Sequence, residues 1–314
     1  MAEPATEDRR VSAHVTLLGG VRGGKYPHGN SLLVEGTEES LIIDPSLSLV
    51  ARSSLPRVDR VVNSHCHEDH IAGNHLYPAV PWHLHALDRP GLDSLEGMLA
   101  IYGYAGASED YFRKALVTDF HYTPRPGAAT FEDGAVFDLG GVRVRVVHAP
   151  GHTRGHCCLS VEPDGVLYLG DIDLTSFGPY YGDAWSSLPD FEQTLRAVGA
   201  LEAEHYATFH HIGVITGRAA FLERLDRFTA VIAVRERRLV EFLAQARTLD
   251  EIVAHRFVYR PGDPVPFADS VERRSMSQHL ERLVADGGVR EVEPERYLAS
   301  ARLPRKRSLG HGAQ

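Results

Sequence analysis

The run Val61-Val62-Asn63-Ser64-His65-Cys66-His67-Glu68-Asp69-His70 ends an apolar segment in four groups able to hold metal: His65, His67, Asp69 and His70. Alternate residues at a strand end point to one side, so His65 and His67 can share one ion. Asp69 and His70 fall past the strand, where a turn into a helix can aim them at a second ion nearby. Gly73 allows close backbone approach in that turn. A lone histidine here would read as a solvated loop residue; this spacing directly after an apolar strand is far more specific. The chain carries 18 histidines against three cysteines. Cys66, Cys157 and Cys158 are odd in number and form no CxxC pair, so neither a disulfide framework nor a thiolate zinc knuckle is expected. Cys66 reads as a small filler whose thiol could make the site sensitive to oxidation.

His65-Cys66-His67-Glu68-Asp69-His70 resembles the H-x-H-x-D-H motif of the metallo-β-lactamase superfamily, and the rest of that family's pattern follows in order over about residues 14–245. Ala149-Pro150-Gly151-His152-Thr153 is similar to the third-ligand motif, which makes His152 a ligand of the first metal. Tyr168-Leu169-Gly170-Asp171 is similar to the strand end whose aspartate bridges both metals. Leu41-Ile42-Ile43-Asp44 resembles the strand whose aspartate supports the site from behind the ligands. Phe209-His210-His211-Ile212-Gly213 stands where the last histidine ligand belongs, and either His210 or His211 can supply it. Family members carry Ile four residues after that ligand, and Ile215 stands four after His211. That spacing selects His211 and leaves His210 to the pocket.

The resemblance implies one ion on His65, His67 and His152 and a second on Asp69, His70 and His211, with Asp171 spanning both. Asp69 and Asp171 are thereby the carboxylates of the catalytic centre. Imidazole and carboxylate without thiolate suit two divalent ions, zinc first, with iron or manganese also compatible. A water shared by two such ions has its pKa lowered toward ~7 and supplies hydroxide for attack on a small ester, thioester or lactone. The Asp171 bridge is the pattern of the thioesterase, lactonase and phosphodiesterase branches, where one major class of zinc β-lactamases has a cysteine. A ribonuclease or other phosphodiesterase, or a di-iron redox or binding protein, are the alternatives. Phe177-Gly178-Pro179-Tyr180-Tyr181-Gly182 follows the bridge, so Tyr180 and Tyr181, with His210, are expected to face substrate. His83, His85 and His148 are expected to be structural or to support the ligands from behind.

The elements that must position these groups are short. Strands are expected at Val15–Leu18, Ser31–Val34, Leu41–Ile43, Val58–Asn63, Val142–Val147, Cys157–Val161 and Val166–Leu169, an α/β pattern that the family would fold as an αββα sandwich. A helix should start near Arg218, with Phe221, Leu225, Phe228, Ile232, Leu239 and Phe242 on one stripe. The texture changes at Thr248, where Thr248 and Glu251 fit a capping box. A second helix from about Ser270 should bury Met276, Leu280, Leu283 and Val284 and stop at Gly287-Gly288, before a strand at Val289–Val292. These features suggest a catalytic domain over 1–246 and a small, mainly helical, winged-helix-like module over 247–314. The tail with Arg302, Arg305, Lys306 and Arg307 reads as a frayed terminus.

Lys and Arg (33) against Asp and Glu (42) leave a net charge of −9, which disfavours a protein held on nucleic acid by a general basic surface. No apolar run is long enough to span a membrane, and the first ten residues lack an apolar signal core, so the expected location is cytoplasmic. Gly19–Lys25 fits G-x-x-x-x-G-K, but Tyr26 replaces the required Ser or Thr, and Pro27 and Gly29 forbid the following helix. It reads as a glycine-rich loop between strands. No H-E-x-x-H or G-x-S-x-G occurs.

Overall fold

Alternation along the strands decides the architecture. Leu32 and Val34 face one side and Leu33 the other; Leu41 and Ile43 oppose Ile42; Val62 opposes Val61; Cys157, Leu159 and Val161 oppose Cys158. Each of these strands is buried on both faces, which is why its sequence reads as a continuous apolar run. The computed structural model describes residues 6–300 and shows what covers those faces. The basic tail from Arg302 lies outside the described residues.

One sheet has seven strands side by side in chain order: β1 (Arg9–Arg10), β2 (Val15–Leu18), β3 (Ser31–Glu35), β4 (Ser40–Ile43), β5 (Arg60–Val62), β6 (Trp82–His85) and β7 (Ala129–Phe131). The second has six, also in chain order: β8 (Val136–Asp138), β9 (Arg143–His148), β10 (Cys157–Glu162), β11 (Val166–Tyr168), β12 (His205–Ala207) and β13 (Val214–Thr216). Their inner faces meet in one core that includes Val15, Leu32, Val34, Leu41, Ile43, Val144, Val146, Leu159 and Tyr168. The outer face of the second sheet, through Cys158, Leu167 and Tyr206, packs on helices Leu188–Ala200 and Arg218–Phe242 by way of Phe191, Leu195, Phe221 and Phe228. The expected α/β sandwich is the observed fold.

Strand direction gathers the chemistry at one edge. β4 and β5 are parallel, so the residues following both, Asp44 and Ser64-His65, emerge side by side. β9 and β11 both pair antiparallel with β10, and β12 runs parallel to β11. The C-terminal ends of β9, β11 and β12 therefore also share an edge, and His152, Asp171 and His210 follow those ends.

The chain divides into two compact units, the first ending at Ile232 and the second beginning at Ala233. The division falls inside the helix Arg218–Phe242 rather than at 246, because Leu239 and Leu243 belong to the core of the second unit. That unit holds helix Leu249–His255, helix Ala268–Ala285, and a small sheet in which Arg247–Thr248 and Val289–Glu293 both pair with Arg296–Ala299. The capping box is present: Thr248 Oγ1 accepts from the Glu251 N–H at 3.2 Å, and a Glu251 carboxylate oxygen accepts from the Thr248 N–H at 2.7 Å. Met276, Leu280 and Leu283 are buried as expected, but Val284 lies at the edge of their stripe and is 40% exposed.

Glu272 is fully buried and accepts three backbone N–H groups, those of Phe257, Val258 and Tyr259, at 2.8–2.9 Å. Glu272→Ala would orphan all three. At ~1 kcal/mol or more for each unsatisfied donor, the expected loss is roughly 3 kcal/mol, read by denaturant unfolding. Loss of less than ~1 kcal/mol would mean that water replaces the carboxylate without penalty. No helix among the described residues is long and apolar enough to cross a membrane.

Candidate metal centre

His67 closes the extended segment after β5 at φ −60°, ψ 150° and begins the short helix Glu68–Ile71. Asp69 and His70 are thus carried on a helical turn, while His65 and His67 precede it. One potential ligand atom each from His65, His67, His152 and Asp171 fall within 4.8 Å of one another, and the same holds for Asp69, His70 and His210. Asp171 joins the groups. Its Oδ2 is 3.0 Å from His152 Nε2 and 4.0 Å from His65 Nε2, while Oδ1 is 2.8 Å from His70 Nε2 and 3.6 Å from His210 Nε2.

The donor set fits metal. Four atoms held ~2.0–2.1 Å from a zinc ion at tetrahedral angles stand roughly 3.3 Å apart. The first group brackets that value, with His152 Nε2 also 2.9 Å from His67 Nδ1. His65 Nε2 and Asp69 Oδ2 are buried without a hydrogen-bond partner, although Asp69 Oδ2 lies 3.1 Å from His210 Nε2. Buried polar atoms this close, aimed at a shared point rather than along hydrogen bonds, are what a cation would satisfy.

A second layer fixes the rings. Asp44 Oδ2 accepts from Ser64 Oγ at 2.6 Å and Tyr168 OH at 2.8 Å, and faces His70 Nδ1 at 2.8 Å. Because Ser64 donates to Asp44, its oxygen is free to accept from His65 Nδ1 at 3.0 Å. His152 Nδ1 donates to the Tyr180 carbonyl at 3.0 Å, and His210 Nδ1 to the Gly24 carbonyl at 2.9 Å. Four imidazoles therefore keep Nδ1–H outward and turn Nε2 toward the cluster, the tautomer that metal binding needs. Asp44 does this from φ +48°, a left-handed conformation that a short polar side chain tolerates.

Charge is balanced within the cluster. Burial works against protonation of His67 and His210, but Asp183 beside the first, and Asp69 and Asp171 beside the second, outweigh it and push both up to about 9. Burial also opposes ionisation of Asp171, yet His70 and His152 hold its carboxyl well below the usual range. Ion binding must displace those imidazole protons.

His210, not His211, completes the second group. β12 ends at Ala207, and residues 208–213 form a turn closed by Thr208 N–H to Gly213 O at 2.8 Å and Ile212 N–H to His210 O at 2.7 Å. His211 sits at φ +53° in that turn and is exposed. The Ile215 spacing presumes extended backbone that the turn does not have. The glycine-rich loop explains why His210 is held: at Gly24, φ +78°, a Cβ would lie 2.5 Å from Asn30 Nδ2 and 2.8 Å from Phe209 O, so a side chain there would push the Gly24 carbonyl away from His210 Nδ1.

Other expected site residues divide. Asp44 lies where the sequence put it. Tyr180 is half-buried, and its hydroxyl donates to Asp183 Oδ1 at 3.0 Å while its carbonyl holds His152. Tyr181 is 1% exposed and packs in the core under helix Leu188–Ala200, so it does not face substrate. Cys66 is fully buried, and burial with Asp88 nearby pushes its thiol well up, which leaves it a filler and not a reactive thiol. His85 and His148 stack on each other at 4.2 Å, outside both ligand groups. His83 lies outside them too, packed edge-on against Phe137 at 5.2 Å.

Four groups escaped the sequence reading. Asp88 accepts from the Gly155 N–H at 2.7 Å and Thr153 Oγ1 at 2.6 Å, pinning the loop that presents His152. His156 donates from Nδ1 to Ala149 O at 2.9 Å and accepts the Asp171 N–H at 3.1 Å, fixing the bridging aspartate's backbone. Gly170 makes room for this: at φ +54°, a Cβ there would lie 2.5 Å from His156 Nε2. Glu68 is buried, hydrogen-bonded by Tyr102 and by Tyr26 at 2.9 Å, and burial raises its carboxyl. Asp183 meets His67. Only His156 left a signal, as the second histidine of Gly151-His152-Thr153-Arg154-Gly155-His156.

The family model of the metallo-beta-lactamase superfamily matches residues 26–204, more than half of the chain. The chain belongs to that superfamily. It is similar to an atrochrysone carboxyl ACP thioesterase of Cryptosporiopsis sp., 24% identical over 94% of this chain and 80% of that protein. It is also similar to an acyl-coenzyme A thioesterase of Gallus gallus, 30% identical over 47% of this chain and 59% of that one. Against the first three curated relatives, the matched region spans only 47% to 56% of their length. A metallo-beta-lactamase family protein of Thermus thermophilus shares the fold, with a TM-score of 0.69 at 22% identity over 93% of this chain and all of that one.

Proposed function

We propose that this superfamily member is a hydrolase carrying two divalent metal ions and acting on a thioester or related small ester. The observation that carries the reading is Asp171, whose two carboxylate oxygens face two separate ligand groups. His65, His67 and His152 would hold one ion, and Asp69, His70 and His210 the other, with Asp171 between them. Zinc suits the set best, with iron or manganese also compatible. Bound there, the ions would acidify a water and stabilise the charge developing on the carbonyl oxygen of the substrate. The chain's own part would be to turn one ring nitrogen of each histidine toward the centre and to exclude bulk water, since His65, His67, Asp69, His70 and His152 are all buried. The thioester preference is supported by the two relatives named as thioesterases, and the αββα unit over residues up to 232 would be the catalytic part. The two helices and the hairpin of the second unit support its reading as a winged-helix-like module.

The test is the metal-reconstituted protein against a panel of acyl thioesters, lactones and phosphodiesters. Thioester turnover that is abolished by chelation, restored by added zinc and insensitive to salt is expected. Turnover confined to phosphodiesters and falling steeply with salt would replace this reading with a nucleic-acid-directed one. Stoichiometric redox-active iron without hydrolysis of any ester would replace it with a di-iron redox protein.

A further inference from the structure

The segment between β11 and the helix Leu188–Ala200 touches the first ligand group repeatedly, its Ser186 hydroxyl also donating to the His152 carbonyl at 2.7 Å. It supplies Asp171, the Tyr180 carbonyl on His152 Nδ1, and Asp183, whose Oδ2 lies 3.1 Å from His67 Nε2. We propose that Asp183 is a positioning residue that presents His67 Nδ1 to the first ion, so that, beyond the shared Asp171, this segment supports the first metal position and not the second. The inference rests on the two-ion reading above.

Asp183 is 2% exposed, and its Oδ1 already accepts from Tyr180 OH at 3.0 Å and Tyr104 OH at 3.4 Å. Its Oδ2 has no hydrogen-bond partner, and neither has His67 Nε2, although the two atoms face each other off the line of a full hydrogen bond. A buried carboxylate with one oxygen unsatisfied is costly. The His67 ring supplies the missing donor when its proton is on Nε2. That choice leaves the lone pair on Nδ1, the atom 2.9 Å from His152 Nε2. Tyr102 stacks on the same ring at 5.0 Å and 22°, which opposes a flip that would put carbon atoms where the two nitrogens stand. His67 is thus oriented opposite to the other histidines, and Asp183 is the group that makes it so.

The second group has different supports. His70 is held by Asp44 at the end of β4, and His210 by the carbonyls of Gly24 and His28. Apart from Asp171 itself, the segment carrying Asp183 makes none of these contacts. Removing the Asp183 carboxylate should therefore weaken one ion and not its neighbour.

The experiment is cobalt titration of the metal-free full chain, followed by absorption and by competition with a chelator. The wild-type chain is expected to take up two equivalents. Asp183→Asn should bind one of them ~10–100-fold more weakly and the other unchanged, and His210→Ala should weaken the opposite one. Circular dichroism of each metal-free variant checks folding. If Asp183→Asn does not fold, Tyr180→Phe removes a hydroxyl from Asp183 Oδ1 and should give a smaller loss at the same position. Folded Asp183→Asn with both wild-type affinities, or with both ions weakened alike, overturns the proposal, as does an unchanged Tyr180→Phe should that variant have to stand in. A wild-type chain that takes up no cobalt overturns the two-ion reading, and this inference with it.

Discussion

Asp171→Ala is expected to reduce thioester turnover by more than the ~10–100-fold that typifies loss of a group behind a metal ligand. The reason is geometric and electrostatic together. Oδ1 and Oδ2 reach 2.8 Å from His70 Nε2 and 3.0 Å from His152 Nε2, so a single carboxylate is shared by both groups. Without it the two groups would lose the carboxylate they share, and the imidazoles crowded around it would lose a counter-charge. Metal content by elemental analysis should fall below two per chain, and kcat should fall with it. Asp173, two residues on, provides the control. Its Oδ1 accepts from the Thr175 N–H and hydroxyl at 3.0–3.1 Å and lies outside both ligand groups. Asp171→Ala with two ions and near-wild-type kcat would show that the carboxylate is not a bridge.

What the sequence made legible was whatever is local along the chain. His65, His67, Asp69 and His70 sit within six positions, and strand alternation reported both buried faces of β3, β4, β5 and β10 directly. Asp44, His152 and Asp171 came from the resemblance to the family's motifs, each of which stands at the end of an apolar strand. Asp88 and Asp183 were not legible. Asp88 acts on Thr153 and Gly155, and Asp183 on His67, across separations that only the folded sandwich closes. Nothing in the spacing of an aspartate announces such a partner. Tyr181 was misplaced for a related reason: adjacent tyrosines in an irregular loop carry no periodicity, and only packing decides that one holds Asp183 and the other fills the core. The boundary near 246 marked a change of texture, whereas the compact units divide by which core Leu239 and Leu243 enter.

His210 and His211 give the sharpest single-residue contrast. His210→Ala is expected to weaken one of the two ions by at least ~10–100-fold, the range for even indirect partners of a metal, and to lower turnover accordingly. His211→Ala should retain both ions and near-wild-type kcat. Both residues lie in the same turn, so general damage to that turn would affect the two variants together. The difference between them isolates side-chain direction. His210 Nε2 stands 3.1 Å from Asp69 Oδ2 and 3.6 Å from Asp171 Oδ1, and its Nδ1 is fixed on the Gly24 carbonyl. His211, at φ +53° and exposed, has none of these contacts. Burial of part of its ring, then His210 and Lys25, lower its pKa. Parallel metal titration of the two variants decides the matter: loss of an ion from His211→Ala with both retained by His210→Ala would mean that the turn reverses when metal binds.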